Sequence, residues 1–247
     1  MTDPGNRTAR YRAAHERVLE RIAAAAVRAG RDPAAVTLVA VSKTVPAEAV
    51  RDAVAAGITV LGENRVQEAA AKIPEVTGAR WHLVGPLQSN KARRAVELFD
   101  VIESVDSVEL AARLDRIVRE VRPGARYPIL LQVNVDRDPA KAGFAPDALG
   151  DAVERIAELD ALETAGLMTI GRLVERPEDA RSSFRRLRVM AERLRGGGRG
   201  LGTALSMGMT DDFEVAVEEG ATIVRVGRAL FGERDHDHEH GRGGAGQ

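Results

Sequence analysis

The chain has 247 residues, a formal net charge of −1 and no cysteine. The near-neutral charge argues against a nucleic-acid-binding protein, and the lack of cysteine excludes disulfides, thiol nucleophiles and cysteine-ligated zinc. No apolar run approaches the roughly 18 residues of a membrane span, and the first residues lack the apolar core of a signal peptide. We therefore expect a cytoplasmic globular protein that binds neither nucleic acid nor membranes.

Short apolar runs and helical patterns alternate along the chain. Residues 7–30 form a long amphipathic pattern that ends at Gly30, a residue typical of helix ends. Eight apolar runs then predict strands, at residues 36–42, 58–61, 80–84, 100–104, 128–134, 162–168, 202–206 and 222–226. Seven patterns between them predict helices, at residues 46–56, 64–73, 89–97, 107–121, 146–159, 177–194 and 211–219.

Eight strands with helical crossovers predict a parallel sheet. Parallel strands are usually covered on both faces, and closure of the sheet removes its edges. A (β/α)8 barrel typically needs about 250 residues, which this chain supplies. We therefore predict one α/β domain over residues 1–234, a TIM-type barrel with an extra N-terminal helix, and a monomer. Residues 235–247, rich in Gly and His, predict a disordered tail.

Lys43 is the most informative residue of the chain. It follows the first predicted strand, and the chain has only 4 lysines against 32 arginines. Where arginine is the usual cation, a lysine at a strand end indicates a need for an amine, because a desolvated lysine can form a Schiff base. Alternation along the strand puts Lys43 on one face with Val39 and Val41, an apolar wall. By position alone, a solvated strand-end lysine is the alternative interpretation.

The segment from Ser206 to Thr210, with the sequence Ser-Met-Gly-Met-Thr, joins a predicted strand to a predicted helix. Two hydroxyl groups, a glycine and the unpaired N–H groups of a helix start suit a phosphate. Thr210 is equally consistent with a helix N-cap, because acidic residues follow it. The segment therefore indicates either a phosphate site or a simple helix start.

The last predicted strand carries an arginine at an alternating position. Arg225 shares a face with Ile223, while Val224 and Val226 lie on the other face. The all-apolar face should pack against helices, so Arg225 is expected to point into the barrel, where a structural salt bridge is its alternative role. Gly227 follows, at a point where backbone amides could meet the same phosphate.

These segments meet only if the sheet closes, because the eighth strand then lies beside the first. Lys43, Arg225 and the two phosphate loops would line one side of a single mouth. An aldehyde that carries a phosphate fits across them, which makes pyridoxal 5′-phosphate the candidate ligand.

The chain resembles the pyridoxal phosphate homeostasis protein family from about residue 10 to residue 234. The ordered motifs that carry the resemblance are Ala40–Lys43 (AVSK), Gly62–Glu68 (GENRVQE), Trp81–Lys91 (WHLVGPLQSNK), Gln132–Asn134 (QVN), Lys141–Gly143 (KAG), Gly166–Ile170 (GLMTI), Ser206–Thr210 (SMGMT) and Arg225–Gly227 (RVG). Members of that family have a fold like the barrel domain of alanine racemase, so the resemblance implies that fold here.

The resemblance also implies roles for individual residues. It implies that Lys43 holds pyridoxal phosphate and that Arg225 faces the ring nitrogen. The residues that it implies for the phosphate are Ser206, Thr210, Gly227 and the residue at position 228. That position is often a small hydroxyl residue in the family and is Arg228 here. Its backbone N–H can still serve, and its side chain would add charge.

Three further polar residues are expected near the same end of the strands. Asn64 is expected to line the cofactor site, with capping of the next helix as the alternative. His82 is expected to have a structural role in the core. Lys141 follows the fifth strand, where it is either a solvated loop lysine or a residue that briefly holds a departing aldehyde.

Three functions compete: a pyridoxal phosphate carrier, an amino-acid racemase and a Schiff-base aldolase. Racemisation needs a second base, which a tyrosine from a second domain supplies in alanine racemase. Here Tyr11 is on the N-terminal helix, Tyr127 precedes the fifth strand at the wrong end of the barrel, and we expect no second domain after residue 234.

Two further arguments weaken the enzymatic interpretations. An arginine opposite the ring nitrogen makes the cofactor a poorer electron sink, although alanine racemase is similar in this respect. A barrel aldolase more often keeps its lysine on a later strand. We therefore expect a non-catalytic protein that buffers pyridoxal phosphate and supplies it to apo-enzymes, with the racemase as the alternative.

Overall fold

In the computed structural model, which describes residues 4–171, 174–198 and 200–232, eight parallel strands close into a barrel in chain order. The strands are β1 (Thr37–Val41), β2 (Val60–Glu63), β3 (Arg80–Leu83), β4 (Val101–Val105), β5 (Tyr127–Gln132), β6 (Leu162–Met168), β7 (Ala204–Ser206) and β8 (Ile223–Val226). The helices are α1 (Pro4–Arg28), α2 (Ala47–Ala55), α3 (Val66–Lys72), α4 (Ala92–Leu98), α5 (Val108–Val121), α6 (Leu149–Ala157), α7 (Arg181–Gly196), α8 (Phe213–Glu218) and α9 (Arg228–Phe231). The predicted (β/α)8 barrel with an extra N-terminal helix is confirmed.

The ring of strands closes between β1 and β8. In β1, Ala40 pairs with Leu61 of β2, and Val39 pairs with Arg225 of β8. All neighbouring strands run parallel, so every strand ends at the same rim. The closure places the chain that follows β1 beside the end of β8, as the sequence predicted.

Alternation along the strands separates two apolar layers. The smaller layer lies inside the barrel, and its buried members are Val39, Val84, Val101, Leu130, Met168 and Ile223. The larger layer lies between the strands and the surrounding helices, and it includes Val224 and Val226. Arg225 therefore occupies the inward face of β8, where it is buried, as its alternation with Val224 and Val226 predicted.

Helix α1 precedes the barrel and packs against α2, α8 and α9. The ring of Tyr11 meets Phe231 edge-on, with 5.6 Å between the centroids. The helix ends before Gly30, whose φ of +67° lies in the left-handed region that favours glycine. The stop that the sequence predicted at Gly30 is confirmed within two residues.

Several predicted boundaries differ from the structure by a few residues. The helices predicted at residues 89–97 and 177–194 each begin with a short 3-10 turn, at Ser89–Lys91 and Pro177–Ala180. Strand β5 begins at Tyr127 itself, so this residue opens the strand instead of preceding it. No helix among the described residues is long and apolar enough to cross a membrane. The predicted disordered tail, residues 235–247, lies outside the described residues.

Candidate functional site

Lys43 lies two residues beyond β1, at the rim where the strands end. Val39 and Val41 belong to the apolar layer inside the barrel, whereas the side chain of Ser42 is buried on the outer side. Alternation therefore directs half-buried Lys43 toward the mouth. The next residue, Thr44, has a φ of 66°, which residues other than glycine rarely adopt. Such strained backbone is concentrated at functional sites.

A buried network of four side chains lies inside the barrel under this rim: His82, Glu103, Ser206 and Arg225, which we call the inner network. His82 Nδ1 lies 2.6 Å from Glu103 Oε1, and the Ser206 hydroxyl donates to Glu103 Oε2 at 2.5 Å. Arg225 donates to Ser206 Oγ at 2.6 Å and to the Thr169 carbonyl at 2.8 Å. In the described part of the chain these are its two acceptors, so the guanidinium keeps further donors for a ligand.

The charges of the inner network compensate one another. Burial alone would raise the pKa of Glu103, but the hydrogen bond and charge of His82 and the charge of Arg225 outweigh it and hold that pKa below its usual range. Glu103 is therefore a carboxylate and accepts only, which places a proton on His82 Nδ1. Burial lowers the pKa of Arg225, while the charge of Glu103 opposes that effect. The structural role predicted for His82 is consistent with this arrangement.

Thr210 and Gly227 come together at the rim beside the inner network. The Gly227 N–H donates to Thr210 Oγ1 at 3.4 Å. Helix α8 begins only at Phe213, with Asp212 in the N-cap position, so Thr210 is not the cap of that helix. The two loops that were predicted to share a phosphate are thus adjacent, and the alternative role of Thr210 is not the one observed.

Glycine is required at position 208, in the first of these loops. Gly208 has a φ of +92°, and a Cβ there would lie 2.5 Å from the Cβ of Ala216 and 2.9 Å from the Cα of Phe213. The Gly208 carbonyl accepts the N–H of Arg225 at 3.0 Å. The tight turn therefore packs α8 against the barrel and ties the loop to β8.

Arg228 begins the short helix α9, directly after Gly227. Its guanidinium forms an ion pair with Asp211, and both side chains are largely exposed. The side chain is therefore engaged at the surface, whereas its backbone N–H follows that of Gly227 in the loop. The extra positive charge expected for a phosphate is balanced by a neighbouring carboxylate.

Asn64 follows β2 and is half-buried. Arg65, not Asn64, is in the N-cap position of α3, so the capping alternative is not observed. Asn64 lines a groove of about 760 Å³ between two rim loops, together with Pro86 and Lys91. These loops touch closely, because a Cβ on Gly85 would lie 2.3 Å from the Asn64 carbonyl oxygen. Asn64 thus lies at the rim, on the side of β2.

Lys141 lies on the loop after β5, at the same rim. Its amine donates to the carbonyl of Gly171 at 2.7 Å and lies 4.0 Å from a carboxylate oxygen of Asp138. It also lines a cavity of about 270 Å³ with Gln132 and Asn134. Lys141 is therefore bonded to the β6 loop and is not simply solvated.

Sequence reasoning missed a second buried network, on the outer side of the rim: Ser42, Glu63 and Lys72, which we call the outer network. Lys72 Nζ lies 2.5 Å from Glu63 Oε1 and 2.7 Å from the Ser42 carbonyl oxygen. The Ser42 hydroxyl donates to the same carboxylate oxygen at 2.7 Å. The rarity of lysine in this chain was the one available signal, and it applied to Lys72 as much as to Lys43.

Known proteins are similar to this chain over most of its length. A family model described as "Alanine racemase, N-terminal domain" matches residues 16–235. A pyridoxal phosphate homeostasis protein of Pseudomonas aeruginosa is 46% identical over 224 residues, which cover 89% of this chain and 94% of that protein. One from Aquifex aeolicus is 41% identical over 222 residues, with 89% and 96% covered.

A solved structure is also similar. PipY of Synechococcus elongatus, with pyridoxal phosphate bound, is 44% identical, has a TM-score of 0.76, and aligns over 87% of this chain and 100% of that chain. The resemblance found in the sequence is confirmed over nearly the whole length of the relatives. This chain belongs to the pyridoxal phosphate homeostasis protein family, built on the alanine racemase N-terminal domain.

Proposed function

We propose that this protein binds pyridoxal 5′-phosphate as a Schiff base on Lys43, buffers it in the cytoplasm and supplies it to apo-enzymes, as a monomer with no dedicated reaction of its own. One observation carries the proposal. Half-buried Lys43 after β1 and buried Arg225 on the adjacent strand β8 face the same mouth of the barrel. The loops that carry Thr210 and Gly227, which are predicted to bind phosphate, lie beside them. The pyridoxal phosphate bound by 44% identical PipY supports it.

The donor groups at the mouth fit this cofactor. When bound, pyridoxal phosphate supplies an aldehyde that condenses reversibly with an amine. Lys43 would provide the amine, and the free donors of Arg225 would face the ring nitrogen. Thr210 and Gly227 would hold the phosphate with a hydroxyl and a backbone N–H, with Arg228 adding a backbone N–H. Ser206, whose hydroxyl bonds Glu103 and Arg225, would also contribute to the phosphate site, and Asn64 would line the site.

The inner network supports binding in preference to catalysis. The Arg225 guanidinium is held as a hydrogen-bond donor by Ser206 and Thr169. A donor opposite the ring nitrogen disfavours protonation of that nitrogen, and the ring then withdraws electrons less strongly. This arrangement suits a protein that holds an aldehyde, although alanine racemase shares it, so the case against a racemase rests on the tyrosines.

The positions of the two tyrosines argue against the racemase alternative. Tyr11 is buried in α1 against Phe231. Tyr127 opens β5 at the opposite end of the barrel, where its hydroxyl donates to the Phe99 carbonyl at 2.8 Å and burial raises its pKa. Neither side chain lies at the mouth, so neither offers a second base for the substrate face opposite Lys43.

Covalent trapping tests the proposed linkage. Purified protein with pyridoxal phosphate should show the visible absorption of a Schiff base, and borohydride reduction should fix the cofactor on the peptide that contains Lys43. Lys43→Ala should lose the adduct, whereas the control Lys91→Ala should keep it. An adduct found mainly on another lysine would overturn the assignment of Lys43.

Turnover and transfer separate a carrier from a racemase. In deuterium oxide, the loaded protein should exchange or racemise L-amino acids no faster than a slow adventitious background. The same preparation should restore activity to an apo-enzyme that requires pyridoxal phosphate. Racemase-level turnover would refute the carrier proposal.

A further inference from the structure

The outer network lies directly behind the chain segment that carries Lys43. Ser42 and Glu63 are fully buried, and Lys72 is 7% exposed. Gly62 faces the barrel interior, since a Cβ there would lie 2.9 Å from Val39 Cγ1, so its neighbour Glu63 faces outward, toward α3. The network is therefore separated from the mouth by the sheet and does not contact a ligand there.

Helix α3 holds the backbone on both sides of Lys43. Before Lys43, the Lys72 ammonium donates to the Ser42 carbonyl at 2.7 Å. After Lys43, the N–H of Thr44 donates to Glu68 Oε2 of the same helix at 3.3 Å. The two contacts flank Lys43, and the second is made by Thr44, the one residue with a left-handed φ in this turn. The strained turn is thus fixed at two points by a single helix.

Stability alone does not account for a buried ion pair at this position. A buried pair loses much hydration, and apolar side chains of similar volume often stabilise a fold as well or better. The Lys72 and Glu63 pair differs from apolar packing in one respect, because it supplies a charged donor to the Ser42 carbonyl. That bond restrains the peptide unit from which the Lys43 side chain projects.

We infer that α3 is a positioning element for Lys43, acting through the outer network and through Glu68. This inference rests on the proposed Schiff base. A lysine that is held in place loses less freedom when its amine is captured, so the cofactor is retained more tightly. If the turn is loosened, the same amine remains, but the cofactor is bound more weakly and released faster.

The first test removes the ion pair without leaving a buried charge. The double variant Glu63→Gln with Lys72→Met keeps the volume and loses the donor to the Ser42 carbonyl. We expect its dissociation constant for pyridoxal phosphate and its release rate to rise by up to about tenfold, because one charge-assisted bond is lost and part of its free energy appears in binding. Absorbance titration and dilution kinetics measure both quantities.

The matched control is Asp115→Asn. Asp115 is also buried and accepts hydrogen bonds from Arg119 at 2.9 Å and from the Ala161 N–H at 3.0 Å. Ala161 directly precedes β6, at the opposite end of the barrel from Lys43. This variant should lower the melting temperature without changing cofactor affinity by more than about twofold. A folded double variant with wild-type affinity and release rate would overturn the inference.

A second pair of variants decides the matter if the double variant does not fold. Glu68→Ala removes the acceptor of the Thr44 N–H, whereas Glu68→Gln retains an acceptor oxygen. Release should be faster in Glu68→Ala and close to wild type in Glu68→Gln, and equal rates in both would overturn the inference. If the wild-type protein itself gives no Lys43 adduct, the proposed Schiff base is wrong. If the adduct forms but the variants release the cofactor at the wild-type rate, only the positioning role of α3 is wrong.

Discussion

The inner and outer networks solve a similar chemical problem on opposite faces of the same sheet. Each joins a strand carboxylate to a cation with the help of a serine hydroxyl that donates to the carboxylate. In the inner network the cation is Arg225, which faces the barrel mouth. In the outer network it is Lys72, which extends from α3 to the outer side of the sheet and bonds Glu63 and the Ser42 carbonyl. Under the proposed function, the same set of groups would contact the cofactor on one face and position Lys43 on the other.

The two cations differ in the number of hydrogen bonds that they can donate, which suits arginine to the inner face of the sheet and lysine to the outer face. Arg225 bonds two acceptors and still has donors to offer, because a guanidinium carries five N–H groups. Lys72 is a compact donor at the end of a flexible stem and satisfies one carboxylate and one carbonyl in a narrow space. The difference implies that damage to the inner network should affect folding and ligand contact together, whereas damage to the outer network should affect retention.

The largest effect is expected from Glu103→Ala, which breaks the inner network at its only carboxylate. The buried Arg225 would lose the larger of its two compensating carboxylate charges, the smaller being that of Asp212. Removal of one charge from such a buried set typically destabilises a fold by about 3–5 kcal/mol. Urea unfolding at neutral pH measures this loss. The control Glu163→Ala, at an exposed position of β6, should change the free energy of unfolding by no more than about 0.5 kcal/mol.

The same residue gives a pH dependence. The pKa of Glu103 in the folded protein lies below its ordinary value of 4.5, so its contribution to stability is complete above that value and is lost as the pH falls through the folded-state pKa. The stability difference between the wild type and Glu103→Gln should therefore narrow progressively below about pH 4.5. A difference that stays constant into acid would show that the Glu103 charge does not contribute.

The sequence predicted the positions of those residues that stand at alternating positions in a strand pattern, and not the positions of the others. Lys43 and Arg225 were predicted because each stands at an alternating position in an apolar strand, and closure of the barrel then made them neighbours. The strand pattern gives no comparable prediction for Glu103 and Lys72. A glutamate within Val101–Val105 could face either side, and Lys72 ends a helix whose tilt onto β1 depends on packing. Tertiary contacts made after the sheet closes decide both positions.

A smaller effect is expected at Ser206 and Thr210, in the loop after β7 that is proposed to bind phosphate. The two residues should differ, because only Ser206 belongs to the inner network. Ser206→Ala combined with Thr210→Ala should weaken the binding of pyridoxal phosphate much more than that of unphosphorylated pyridoxal. Each lost hydrogen bond to a charged group is worth about 1.5–3 kcal/mol. Isothermal titration with both ligands measures the difference. Equal losses would show that these hydroxyls do not contact phosphate.

The single variants sharpen that result. The one proton of the Ser206 hydroxyl goes to Glu103 in this structure, and the oxygen accepts from Arg225. Ser206→Ala should therefore also weaken pyridoxal binding, because Arg225 loses an acceptor that orients it. Thr210→Ala should spare pyridoxal, since Thr210 lies outside the inner network and contacts Gly227. A loss confined to pyridoxal phosphate in both single variants would show that Ser206 turns from Glu103 to the phosphate on binding.

The smallest effect is expected at Lys141, which resembles Lys72 in donating to a backbone carbonyl at the rim but differs in its surroundings. Its amine bonds the Gly171 carbonyl, the nearest carboxylate oxygen of Asp138 is 4.0 Å away, and the side chain is 26% exposed. Contacts this open are worth at most about 1 kcal/mol, so Lys141→Ala should slow transfer to an apo-enzyme by no more than about fivefold. The amount of cofactor bound at equilibrium should not change, because Lys141 does not hold the turn at Lys43.

Stopped-flow kinetics measures the rate of transfer in Lys141→Ala, and absorbance titration measures the amount of cofactor bound. An unchanged transfer rate would show that Lys141 does not briefly hold the departing aldehyde. A loss of equilibrium binding would show that Lys141 positions the site, the role inferred for Lys72.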